Sequence, residues 1–511
     1  MKFPRSSGIL LHPTSLPGRF GIGELGPEAF RFIDFLSAAG QTLWQVLPLT
    51  PTGYGDSPYQ ALSAFAGNPL LISLEVLMDR GLVSGTDVAE CPRFPAAQVD
   101  FGAVIDFKLP VLRRAADNFF SAASAAERTG FEQFCRKQAW WLEDFALFMA
   151  VKSAHGLRAW TEWDRGIALR EPEAMKQWSG RLATDIATHQ FWQYEFFRQW
   201  HAVRLRCAER GIRIMGDIPI YVAHDSADVW SNRDLFWLDA GGSPSKIAGV
   251  PPDYFSATGQ LWGNPIYRWE LLKDRDYDWW EARFRHTFSL VDIVRLDHFR
   301  GFEAYWEVPA GETTARNGKW VKGPGADLFH VLTAKLGKLP VVAENLGVIT
   351  PEVEAIRHMF GYPGMAILQF AFSTDPQAPT FRPHNYVRDL VAYTGGHDND
   401  TMCGWWNAGV ADSTRSDADV KKEKDDCAKY FNVTTAQLDR EVNWIFIREA
   451  MRSVANTVLV PMQDVLGLGT EARMNLPGSS GRWWKWRMTD GDFRDDLAER
   501  LREFAFLYER R

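Results

Sequence analysis

Three carboxylates stand where apolar runs end. Arg295 and Asp297 lie two apart in the run 292–298, Glu344 closes Val341-Val-Ala343, and Asp398 sits in Gly396-His-Asp-Asn-Asp400 beside His397. If residues 292–298 form a strand, Arg295 and Asp297 emerge on the same face. A guanidinium beside a carboxylate favours its ionised form, which suits Asp297 to act as a nucleophile. Desolvation by the preceding apolar residues keeps Glu344 protonated longer and makes it a candidate general acid. Asp398 adds a third carboxylate, with His397 as a neighbouring donor. Two carboxylates flanking a scissile bond, one as nucleophile and the other as acid then base, are the recurring machinery of glycosidic chemistry. Any one of these residues taken singly could equally make a structural salt bridge; three at the strand ends of one barrel argue for a shared site.

Such convergence requires elements that deliver each residue to one place. Eight short apolar runs, 9–13, 44–48, 213–219, 292–298, 340–345, 365–370, 390–398 and 457–464, each end in a polar or charged cluster. Near-continuous apolar runs are the mark of strands buried on both faces, as in a parallel sheet. Amphipathic segments intervene, for example the one opening at Pro27 and closed by Gly40. Eight β/α alternations predict an α/β chain folded as a (β/α)8 TIM barrel, with its active face at the C-terminal strand ends.

The long gap from Pro48 to Arg213 must hold an inserted subdomain. Phe131, Phe134, Gln138, Trp141, Leu142, Phe145 and Phe148 recur at helical spacing inside it, and Trp192, Phe196 and Trp200 mark a second helix. The expected organisation is a single catalytic barrel over 1–511 with mainly helical insertions at about 65–210 and 400–455. Another insertion, at about 220–285, carries a substrate-covering loop. The stretch after the eighth run suffices for closing helices and leaves no room for a C-terminal β-sandwich domain.

Composition narrows the function. With 64 Asp+Glu against 57 Lys+Arg the net charge is −7, which argues against a nucleic-acid partner and favours a neutral substrate. The 22 Trp and 34 Phe belong mostly in cores, with the remainder available to stack on sugar rings. Five scattered cysteines without a CxxC pair point to a reducing, cytoplasmic compartment. Gly8-Ile-Leu-Leu-His12 is too short for a signal-peptide core, and no stretch approaches the ~20 apolar residues that span a bilayer.

Gly21-Ile-Gly-Glu-Leu-Gly26 matches G-x-G-x-x-G, but no strand directly precedes it and no acidic residue follows where a ribose contact belongs. It reads as a glycine-shaped turn. No histidine pair has HExxH spacing, no Cys/His cluster exists and no G-x-S-x-G elbow occurs, so neither metal nor cofactor is expected.

The residues themselves closely resemble the amylomaltase family of 4-α-glucanotransferases, the disproportionating enzymes of the α-amylase-like barrel group. The likeness runs over 8–477. It is carried by Gly8-Ile-Leu-Leu-His-Pro-Thr-Ser-Leu-Pro17, Trp44-Gln-Val-Leu-Pro-Leu49, Ser57-Pro-Tyr-Gln60, Gly216-Asp-Ile-Pro219 and Pro251-Pro-Asp-Tyr-Phe255. Gly259-Gln-Leu-Trp-Gly-Asn-Pro265, Arg295-Leu-Asp-His-Phe-Arg-Gly301, Glu344-Asn-Leu-Gly347, His397-Asp-Asn399 and Glu471-Ala-Arg-Met-Asn-Leu-Pro-Gly478 complete it. Members typically read Glu-Asp-Leu-Gly where this chain has Glu344-Asn345, and Gly-Thr-His where it has Gly395-Gly-His397.

The resemblance implies that Asp297 is the nucleophile, Glu344 the acid/base and Asp398 the transition-state stabiliser. It implies that Arg295, His397 and Asp217 hold the donor sugar, and that Tyr59, Asp253 and Trp262 bind glucan, with Trp262 on a loop arching over the cleft. Ordinary packing is the alternative for Tyr59 and Trp262. The implied donors are α-1,4-glucans and maltooligosaccharides, and the acceptors glucose or maltooligosaccharides, in a cytoplasmic enzyme of starch or glycogen metabolism. An α-1,4-glucan hydrolase needs the same carboxylates and differs only in its acceptor. A catalytically silent glucan-binding scaffold would need fewer of them.

Overall fold

The computed structural model describes residues 3–252, 258–408, 416–479, 481 and 483–511. Its strands, in chain order, are β1 (Ser6–Leu10), β2 (Leu43–Gln45), β3 (Arg213–Ile218), β4 (Lys246–Val250), β5 (Gln260–Pro265) and β6 (Ile293–Leu296). They continue as β7 (Ala304–Pro309), β8 (Lys319–Lys322), β9 (Val341–Ala343), β10 (Gly364–Ile367), β11 (Leu390–Tyr393) and β12 (Thr457–Pro461). Eight form one parallel sheet in the order β10-β11-β12-β1-β2-β3-β6-β9. The seam between its ends is bridged where the N–H of Ala343 donates to the carbonyl of Pro363 at 2.9 Å. This is the (β/α)8 barrel expected from the eight apolar runs. Each run overlaps a barrel strand and continues past its C-terminal end into the loop that carries the polar cluster.

The barrel interior explains why the polar residues stand where they do. Leu43, Met215, Ile293, Val342, Met365, Val391 and Leu459, one from each of seven strands, form a buried cluster sealed by Phe3. Each such side chain contributes about 1.5–3 kcal/mol when taken out of water. Gly8 completes the ring on β1, where a Cβ would lie 2.2 Å from the Leu43 carbonyl oxygen. Side chains alternate along a strand, so residues two further on also face inward. Those residues include Asp217 after Met215, Arg295 after Ile293 and Glu344 after Val342. The apolar layer is thus the floor beneath a charged one.

Around the barrel, the glycine motif at 21–26 forms a turn into helix Pro27–Ala38, with Gly26 as its N-cap and Gly21 at φ 82°. The aromatic periodicities between β2 and β3 are realised as helices Ala125–Ala154 and Ala183–Glu209, preceded by helix Phe101–Ala122. Phe119, Phe131 and Phe191 knit the three together, with ring centroids 4.9–5.6 Å apart.

A feature without a sequence forecast is the second, antiparallel sheet, ordered β5-β4-β7-β8. Stretch 220–285, expected as an insertion, supplies β4 and β5, while β7 and β8 follow barrel strand β6. No helix among the described residues is long and apolar enough to cross a membrane, and the five cysteines are free thiols.

Candidate active site

Strands β3 and β6 pair Asp217 with Arg295 in register, and an ion-pair chain begins there. The guanidinium of Arg295 donates to Asp217 Oδ2 at 2.6 Å and meets Asp297 Oδ1 at 2.8 Å. The Asp217 side chain is 0% exposed and that of Asp297 25%, so Asp217 lies beneath Asp297 at the barrel mouth. Burial works against the Arg295 charge, but Asp217 and Asp297 outweigh it and hold the guanidinium above its ordinary range. Burial also pushes the Asp217 carboxyl up, against the pull of Arg295. The Tyr59 hydroxyl donates to Asp217 Oδ2 at 2.7 Å.

Glu344 directly follows β9 and faces inward. Its Oε2 accepts from the His298 N–H and its Oε1 from the Leu346 N–H, both at 2.8 Å. Burial is the largest influence on this carboxyl, and with the nearby charge of Asp297 it outweighs Arg295 and the two N–H donors, pushing it up to about 7. A group poised there can both donate and accept a proton near neutrality.

The His298 N–H links the segment of Asp297 to Glu344. His298 has φ 50°, in the left-handed region, where a non-glycine residue is costly and marks a functional turn. That turn directs the chain from Asp297 into helix Arg300–Glu303, and the N–H of the 297–298 peptide reaches Glu344. The His298 imidazole is pushed by burial down to about 4, so it is neutral at physiological pH. It packs edge to face with Trp262, centroids 4.8 Å apart.

On the other side, the chain leaves β11 and reaches His397 and Asp398. The His397 ring stacks on Tyr59 with centroids 5.0 Å apart and an interplanar angle of 16°. Trp484 packs against both rings, at 5.8 and 5.9 Å, and itself has φ 66°. Asp398 is half-exposed. Its Oδ1 accepts from Asn475 Nδ2 at 2.6 Å and its Oδ2 lies 3.5 Å from His397 Nε2.

Asp217, Arg295, Asp297, Glu344 and Tyr59 therefore form one connected cluster. Stacking joins His397 to it, and Asp398 is joined through His397. Trp262 is tied in through His298, with one correction: it lies on edge strand β5 of the antiparallel sheet, not on a loop. That sheet is built of two local antiparallel pairs, β4–β5 and β7–β8, joined by the long-range pairing of β4 with β7. Asp253 lies outside the described residues.

Sequence reasoning misses three further residues as individuals: His298 and Asn475, although both stand inside family motifs, and Trp484. Nothing in residue type or spacing marks them, because His298 acts through its backbone and Asn475 and Trp484 through contacts from a distant segment. The two departures from the family pattern have local accounts. Asn345 donates to Glu354 Oε1 and accepts from the Met365 N–H, both at 2.8 Å, so its amide braces the β9–β10 seam. A Cβ on Gly396 would lie 3.4 Å from Asn399 Oδ1, an ordinary contact, so space does not demand glycine there.

Comparison with known proteins bears on this arrangement. A family model described as 4-alpha-glucanotransferase matches residues 11–493. The 4-alpha-glucanotransferase of Synechocystis sp. is 50% identical over 510 residues, covering 99% of this chain and 98% of that one. That of Thermus thermophilus is 49% identical over 515 residues, covering both chains completely. Among solved structures, the amylomaltase from Streptococcus agalactiae in complex with acarbose superposes with a TM-score of 0.92 at 39% identity, covering 99% of each chain.

Proposed function

The chain belongs to the 4-alpha-glucanotransferase family, and from that premise we propose a retaining, two-step transfer in which Asp297 is the nucleophile and Glu344 the acid/base. Asp297 attacks the anomeric carbon of an α-1,4-linked glucose while protonated Glu344 gives its proton to the leaving 4-oxygen. The glycosidic bond breaks, a β-glucosyl ester forms on Asp297, and the shortened glucan leaves with a free 4-hydroxyl. Glu344, now ionised, takes the proton from an acceptor's 4-hydroxyl as that oxygen displaces Asp297. The α linkage is restored and both side chains return to their starting states. Asp398 binds donor-ring hydroxyls more strongly as positive charge develops, so its contribution falls on kcat. Arg295, His397 and Asp217 hold the donor ring, and Tyr59, Asp253 and Trp262 engage the glucan.

The observation that carries the reading is the position of Glu344. It is held by two N–H donors, one from the residue next to Asp297, and burial keeps its carboxyl near 7. Donors are α-1,4-glucans and maltooligosaccharides; the acceptors are glucose or another maltooligosaccharide. The free thiols favour the cytoplasm.

Transfer and hydrolysis share the first step and part at the second. The test is to incubate the purified protein with maltotriose. A ladder of longer oligosaccharides plus glucose, with little gain in reducing ends, is expected; a steady rise in reducing ends makes it an α-glucan hydrolase. Asp297→Asn is expected to abolish turnover while acarbose, the ligand in the Streptococcus agalactiae structure, still binds. Undiminished turnover by that variant removes the assigned nucleophile.

A further inference from the structure

Of the three proposed reactive carboxylates, Asp398 is the one its own strand does least to fix. Asp297 is tied to Arg295 directly beyond β6, and Glu344 is buried with both oxygens occupied. Asp398 lies in the loop after β11, and its side chain is 48% exposed. Left to itself such a carboxylate samples several rotamers, and each turnover would then bear the cost of orienting it.

One short segment from beyond β12 supplies the constraint. Asn475 Nδ2 donates to Asp398 Oδ1 at 2.6 Å. The Asn475 N–H donates to the His397 carbonyl at 3.1 Å. Arg473 donates to the Asp398 carbonyl at 2.7 Å and, through Nε, to the Asn475 carbonyl at 2.7 Å. Backbone and side chain of the 397–398 pair are thus both gripped by residues 473–475, remote in sequence. The grip is one-sided: it occupies Oδ1, while the ion-pair partner of Oδ2 among the described residues is the His397 ring, at 3.5 Å.

We propose that Asn475 is a positioning residue for the transfer reaction, its amide fixing the Asp398 rotamer so that Oδ2 is presented to the donor ring. The inference rests on the role given to Asp398 above. A neutral amide is well matched to this role, because it donates a charge-assisted hydrogen bond without cancelling the carboxylate's charge, as an arginine or lysine in its place would. A side chain that holds a transition-state contact in place acts on kcat and leaves donor binding nearly unchanged.

The test is a double-mutant cycle on maltotriose disproportionation with Asn475→Ala, Asp398→Asn and the pair. Asn475→Ala is expected to lower kcat about 10-fold or more, from the loss of one hydrogen bond to a charged group, with donor KM within about threefold of the parent. The double variant should be no slower than Asp398→Asn alone, because both changes act through one carboxylate. Full additivity, an unchanged kcat in Asn475→Ala, or a loss confined to KM each overturns the inference. If Asn475→Ala is not folded by circular dichroism, Asn475→Ser, whose side chain is too short to reach Oδ1, replaces it in the cycle under the same criteria. Full turnover by Asp398→Asn instead removes the role of Asp398 itself, so the two failures are distinguishable.

Discussion

The backbone N–H of His298 donates to Glu344 Oε2 at 2.8 Å, so the residue after the proposed nucleophile holds the proposed acid. His298 itself occupies the left-handed region at φ 50°. Glycine adopts that conformation freely, whereas alanine bears a penalty of about 1–2 kcal/mol. His298→Gly is therefore expected to be more stable than His298→Ala by about 1 kcal/mol, reversing the usual order of those residues. Urea unfolding of the two variants measures it. Equal stabilities, or alanine ahead, would mean that the turn stores no strain.

The pH dependence follows from Glu344. Its carboxyl is raised from an ordinary value near 4.5 to about 7, chiefly by burial. The first step needs the protonated form, so kcat/KM should fall above an apparent pKa near 7. Folding stability carries the same sign. A folded-state pKa above the unfolded one gives a contribution fully present below about pH 4.5 and lost as pH rises through 7. Glu344→Gln removes the buried charge and should raise Tm relative to the parent at pH 8.5 more than at pH 5. Identical Tm differences at both values would place the carboxyl's titration elsewhere.

Arg295 neutralises two carboxylates at once, one of them fully buried. Arg295→Met leaves the buried Asp217 without its cation and is expected to cost about 3–5 kcal/mol. Arg295→Lys presents a point charge in place of the two-pronged guanidinium and should recover less than half of that. Tyr59→Phe removes one of the two donors to Asp217 Oδ2 and is expected to cost about 1 kcal/mol, leaving the fold intact. Chemical denaturation orders the three. A Tyr59→Phe loss as large as that of Arg295→Met would show that the hydroxyl, and not the guanidinium, is what stabilises Asp217.

The contrast between Arg295 and His298 shows what the chain discloses before it is folded. Arg295, Asp297 and Glu344 were legible because burial on both faces makes barrel strands continuous apolar runs, and the two-residue repeat forces a polar residue after an inward Ile293 or Val342 to point into the mouth. The barrel and its order followed from the same signal. His298 was not legible as a positioning group, since its contribution is a backbone dihedral and an N–H that every non-proline residue carries. Trp262 lies on β5, which pairs locally with β4, whereas the joining of β4 to β7 across barrel strand β6 is a non-local registration with no trace in local periodicity. Asn475 reaches Asp398 from 77 residues away, and only the folded chain brings them together.

Far from the site, Arg510 tests how the barrel's lower end is secured. Its side chain is fully buried and donates to the carbonyls of Met451 at 2.6 Å, Ser453 at 3.0 Å, and Ser6 and Asn456 at 3.3 Å. Met451 lies in the last turn of helix Thr435–Arg452, whose terminal carbonyls lack partners within the helix and carry the negative end of its dipole. Arg5 reinforces the arrangement by donating to the Ser453 carbonyl at 3.0 Å and to that of Tyr508 at 2.7 Å. One guanidinium thus ties β1, the end of that helix and the approach to β12. Arg510→Ala removes four hydrogen bonds at about 0.5–1.5 kcal/mol each, although the Ser453 carbonyl keeps Arg5 and that of Asn456 keeps the Ser6 N–H, so a net loss of about 2–4 kcal/mol is expected. Turnover at 25 °C should be unchanged, because the hydrogen-bond partners of Arg510 among the described residues, Met451, Ser453, Ser6 and Asn456, belong to the lower end. A variant with the parent's Tm would show that the carbonyls find water without cost; one with parental Tm and diminished turnover would show that the lower end communicates with the mouth.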